Sequence, residues 1–133
     1  LEGQPELPAG LADLPDRELM ELLSEFTSWT GYAGYQVAVA VIDVRMSTRK
    51  LQAVTDKYTV QKKAKTVSET KALVALEPEV QEMDYALIVS ESFADQIKAI
   101  YNHLESCGKA VSRELTRRTS RSSLEGRNDK YNT

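Results

Sequence analysis

The chain has 133 residues, 28% of them charged, with a net charge of only −3, one cysteine, six glycines and four prolines. That length supports one domain with a modest core, and the composition is neither collagen-like nor that of a linker. The single Cys107 excludes an internal disulfide, and the near-neutral charge does not by itself mark a nucleic-acid binder. The longest apolar run, VAVAVI at 37–42, falls well short of the ~20 residues of a membrane span. With no signal-peptide pattern at its start, the chain is expected to be soluble and cytoplasmic.

Residues 1–14, LEGQPELPAGLADL, hold glycine and proline and little periodicity, which predicts a flexible lead-in. PDRELMELLSEFTSW then predicts a helix over about 16–29. Pro15 suits a first helical position, Asp16, Glu18 and Glu21 suit the positive end of the dipole, and Leu19, Leu22, Leu23 and Phe26 share a face. TGYAGY, with Gly31 and Gly34, predicts a break. VAVAVIDV alternates like a strand, but Val37, Val41, Val44, Thr48, Leu51, Thr55 and Tyr58 continue at helical spacing past the point where alternation stops. The longer pattern predicts one helix over about 35–64. Ser68 or Thr66 can cap a short helix over about 69–77, and Pro78 starts the next.

That last helix, expected over about 79–118, carries the clearest pattern. Val80, Met83, Leu87, Ser90, Ala94, Ile97, Tyr101, Leu104, Gly108, Val111 and Leu115 step by three and four without a slip. Ile88, Phe93 and Ile100 form a second flank. A seam of this length exceeds what a small monomer needs, so it is expected to continue into a partner chain. The polar, basic stretch 119–133 is expected to be disordered in isolation. The predicted architecture is all-α: a helical hairpin or small bundle over 15–118, with a long coiled-coil-like C-terminal helix, assembled as a homo-oligomer.

Charge is segregated along the chain. Residues 1–30 carry seven acids and one base, 45–65 seven bases and one acid, 66–107 eight acids and two bases, and 108–133 seven bases and three acids. Either opposite blocks face each other, or the basic blocks bind phosphates. In the first basic block the candidates are Arg45, Arg49, Lys50, Lys57, Lys62, Lys63 and Lys65. In the second they are Arg113, Arg117 and Arg121, four residues apart, with Arg118 beside them. Glu114 can pair locally with Arg117 or Arg118. Tyr58 can stack on a base or fill the seam. His103 and Cys107, four apart, lack a second ligand pair for a metal site, and no acid/base pair or phosphate loop is present. Neither an enzyme nor a cofactor or metal is expected.

The stretch KTVSETKALVALEPEVQEMDYALIVSESFADQIKAIYNHLESCGKAVSRELTRR, with the basic helix before it, resembles the C-terminal half of the small phage recombination mediator proteins. The shared features are a basic helix, a short link, a long acidic-to-basic helix with aromatics and a final basic turn, over about residues 45–118. The resemblance implies a helical, ring-forming protein of the host cytoplasm. Such a protein binds single-stranded DNA and helps load a recombinase onto strands covered by single-stranded-DNA-binding protein. By position it implies Arg49, Lys50, Lys57, Lys62, Lys63 and Lys65 as DNA-binding residues. The alternative reading is a structural or adaptor module assembled through long helices, with acidic surfaces for protein partners and basic blocks consumed in ion pairs.

Overall fold

A computed structural model describes residues 1–131, with side chains to Arg127. The described residues hold three α-helices, one 3-10 turn at Leu11–Asp13 and no strand: α1 is Asp16–Gln61, α2 is Val67–Ala75 and α3 is Pro78–Tyr131. The chain is all-α, with a long C-terminal helix packed on the first. No helix is long and apolar enough to cross a membrane among the described residues. The fold groups into two units, one of Leu1–Gly34 with the chain from Ile100 onward, the other of Tyr35–Ala99.

In the first unit Leu19, Phe26 and Ala33 of α1 and Leu104, Cys107 and Val111 of α3 form the buried cluster. The pairing is antiparallel, with Arg118 bonded to Asp16 and the place of a Gly108 Cβ only 3.6 Å from Phe26 Cβ. The predicted break at 30–35 is absent, and α1 runs straight through it. Two glycines cost a helix about 1 kcal/mol each relative to alanine. Here Ala33 is fully buried and Gly34 lets the Tyr101 ring approach to 3.3 Å of where a Cβ would stand, so packing outweighs propensity. The lead-in is docked rather than flexible. Leu1, Leu11 and Leu14 pack against the cluster, and Arg118 donates to the carbonyls of Leu11 and Ala12 at 3.4 and 3.0 Å.

In the second unit VAVAVIDV is helical, and of the predicted inward set Val37, Val41, Val44, Leu51, Thr55 and Tyr58 are half-buried. Thr48 is the exception: it is exposed and bonds its hydroxyl back to Val44 O at 2.8 Å. Ala40 is buried and Ser47 and Val54 are half-buried as well, which widens the inward face by a flank. Ser47 and Ser90 meet at 3.2 Å in its middle. Of the two predicted caps it is Thr66 that caps α2, accepting from Glu69 N, so α2 runs Val67–Ala75 and starts two residues earlier than the predicted 69–77. Pro78 opens α3 as the sequence predicts.

All eleven predicted seam positions of α3 are buried or half-buried within the single chain. The unbroken α1 supplies 46 residues of helix against which that seam packs within one chain. Helix also continues beyond 118 to Tyr131, in place of the expected disorder. No proline stops it, and Arg121 pairs with Glu125 one turn on. Residues 132–133 of that tail lie outside the described residues. Leu104→Ala, at a fully buried site, should lower unfolding free energy in urea by ~2–5 kcal/mol. Exposed Met20→Ala should change it by less than ~0.5 kcal/mol, and equal losses at both would contradict this core.

Candidate nucleic-acid interface

In the second unit the basic block occupies the later half of α1 and the link to α2. Two of its lysines are engaged. Lys62 pairs with Glu77, and Lys57 Nζ lies 3.4 Å from Glu79 and 5.0 Å from the Tyr58 ring centroid. Tyr58 donates its hydroxyl to Glu79 at 2.7 Å. That hydrogen bond, reinforced by Lys57, holds Glu79 below the usual carboxylate range and raises the Tyr58 phenol. Tyr58 is a half-buried seam residue with its hydroxyl committed, so it does not offer a face for a base. Arg45, Arg49, Lys50, Lys63 and Lys65 are all exposed, and none joins an ion pair among the described residues. The link that carries Lys63 and Lys65 is held in place, because Ala64 N donates to Thr70 Oγ1 at 3.0 Å and that hydroxyl donates to Thr66 O at 3.0 Å.

The C-terminal arginines behave otherwise. Glu114 accepts from Arg117 Nη2 at 2.7 Å and from Arg118 Nε at 3.0 Å. Arg118 also reaches Asp16 at 2.8 Å, and Arg121 pairs with Glu125 at 3.3 Å. Of the predicted stripe, Arg113 alone is exposed without an ion pair among the described residues. Lys109 pairs with Glu105 at 2.8 Å, and its hydrogen bond draws Glu105 below the ordinary range. The charge blocks are therefore grouped outermost with outermost and inner with inner. The acidic 1–30 and basic 108–133 blocks share the first unit, and the basic 45–65 block shares the second with most of the acidic one.

His103 is exposed, with Nε2 3.6 Å from Cys107 Sγ. Burial raises the Cys107 thiol above its ordinary range. No cluster of three or more potential metal ligands occurs among the described residues.

Two features escaped the sequence reading. Lys71, on α2, stands exposed beside the link lysines. The second unit also leaves Tyr35, Val39, Ile42 and Met46 of α1 exposed, together with Tyr85, Ile88, Val89 and Phe93 of α3. The α1 members step by four, three and four, a spacing present in the sequence but overshadowed by the parallel valine series. Met46 and Val89 adjoin the Ser47–Ser90 pair, so the two stripes meet at that level and run from it in largely opposite directions along the antiparallel helices. Ile88 and Phe93 belong to the flank noted on α3, and the chain does not cover them.

Comparison with protein-family models, curated proteins and solved structures finds no match.

Glu114 is drawn down to about 2 by the hydrogen bonds from Arg117 and Arg118. A carboxyl more acidic in the folded than in the unfolded chain contributes stability above its ordinary range and loses it as pH falls through the folded value. In Glu114→Gln this contribution is gone. Its thermal midpoint should therefore fall less steeply than that of the parent between pH 4.5 and about 2, and parallel curves would refute the assignment.

Proposed function

We propose that this chain is an oligomeric single-stranded-DNA-binding accessory protein, acting as a recombination mediator. One observation carries the reading: Arg45, Arg49, Lys50, Lys63 and Lys65 remain exposed and outside ion pairs among the described residues, although acidic residues of α3 share their unit. Cations left unneutralised by their own chain are what a phosphate backbone needs. No ring among these residues reads a base, so binding would be independent of sequence. Three or four phosphate contacts per copy are weak, and repetition around an assembly supplies avidity.

The apolar stripes supply a means of assembly. A run of large exposed side chains on a small chain marks a contact surface. The spacing at Tyr35, Val39, Ile42 and Met46 is that of the chain's own buried seam, so a second copy presents a stripe of matching pitch. The adaptor reading draws on a different observation. Lys57, Lys62, Arg117, Arg118 and Arg121 are all engaged with carboxylates.

Fluorescence anisotropy with labelled single- and double-stranded oligonucleotides tests the reading. Single strands should bind in preference, with affinity falling roughly 20- to 50-fold between about 50 and 200 mM salt for three or four phosphates engaged. Arg49→Ala with Lys50→Ala should weaken binding for every sequence alike, and Arg117→Ala, whose cation is engaged by Glu114, should change it little. No binding at low salt would reject the reading in favour of the adaptor. Separately, Ile42→Glu with Phe93→Glu should lower the mass seen by light scattering after size exclusion without loss of helix. An unchanged mass would exclude this face from assembly.

A further inference from the structure

The end of α1, the link and α2 enclose a groove of about 440 Å³. Its basic members are Lys63, Lys65 and Lys71, drawn from the link and from α2. We infer that this groove seats a phosphodiester of a bound strand, held by those three ammonium groups. The inference rests on the single-strand reading above and gives it a location.

The chemistry of the walls selects the ligand. The volume exceeds that of a phosphate alone and lies within the range of nucleotide-sized sites. The groove has no aromatic lining, so it takes sugar and phosphate rather than a stacked base. Exposed Val67 offers apolar surface to a sugar. Three of the four wall hydroxyls are engaged within the chain: Thr59 bonds Thr55 O, Thr66 accepts from Glu69 N and Thr70 bonds the link, which leaves the Thr55 hydroxyl as a neutral donor beside the lysines. Attraction for an anion therefore comes from the lysines, none of which joins an ion pair among the described residues. Asp56 is the one carboxylate on the wall, and it accepts from Gln52 Nε2 at 2.8 Å. Three cations against one acid leave the groove net positive. The Thr70 bonds fix the link that carries two of them, so little ordering remains to be done when the anion arrives.

The test uses the full chain labelled with ¹⁵N, titrated with short oligothymidylate and, separately, with inorganic pyrophosphate. Both should shift the amides of residues 66–71. Lys63→Ala, Lys65→Ala and Lys71→Ala combined should abolish those shifts and lower the salt slope of strand binding by about 0.7, for the one phosphate no longer neutralised. Arg49→Ala with Lys50→Ala should leave the shifts at 66–71 in place. All three lysines are exposed, so the triple variant should keep its helix content. Strand binding that leaves 66–71 unmoved would overturn the groove and spare the single-strand reading. Pyrophosphate shifts without any strand binding would reject the phosphodiester as its occupant, along with that reading.

Discussion

Two paired helices bury one stripe each, and every other side chain on them faces outward. In this protein the buried stripes are narrow and rich in small residues. Ala33, Ala40 and Ala94 are buried, and Gly108 admits Phe26. Small residues let backbones approach closely, so few large side chains are enclosed, and the largest fully buried ones are Phe26, Leu19, Leu104 and Val111, all in the first unit. The second unit encloses less and exposes more. Its uncovered Ile42, Met46, Ile88 and Phe93 follow from that geometry rather than from any failure of the apolar pattern.

Charge follows the same constraint. A chain that folds back antiparallel brings its first block against its last, and acid–base alternation then makes those meetings favourable. The ion pairs are few and mostly exposed, and pairs of that kind contribute ~0–1 kcal/mol each. Most lie within one helix at i,i+3 or i,i+4, and only Lys57–Glu79, Lys62–Glu77 and Arg118–Asp16 join different parts of the chain. Arg118 is the exception in kind, since one guanidinium joins Asp16, Glu114 and the carbonyls of the lead-in. What the fold does not neutralise is mainly the exposed basic surplus on α1, the link and α2, with Lys98 and Arg113 on α3.

Much of this was legible in the sequence. The unbroken three-four pattern of α3 named its buried face apart from Cys107, Pro78 marked its start, and Thr66 was one of two candidate caps for its neighbour. The glycines of TGYAGY misled because propensity is local, whereas the approach of Tyr101 to Gly34 is set from 67 residues away. On α1 the predicted positions are half-buried except Thr48, and the added flank through Ala40 and Ser47 was hard to read because a small and a polar residue carry little apolar signal. The candidate cations were all visible as residue types. Which of them are spent was legible only locally, in Glu114 with Arg117 and Arg118, because the Arg118–Asp16 bond spans 102 residues and no spacing rule reaches that far.

The same separation bears on how the chain comes together. Side-chain bonds in the second unit close loops of 21 and 43 residues, at Tyr58–Glu79 and Ser47–Ser90, against 102 for Arg118–Asp16 in the first. Loop-closure entropy makes the longest of these about 1.4 kcal/mol costlier to form than the shortest from a free chain. Once Tyr35–Ala99 has folded, its 65 residues are no longer free chain, and most of that difference disappears. The core with the largest buried side chains thus depends for its nucleation on the unit with the thinner core. The order in which amide protection develops during refolding is where that dependence becomes visible.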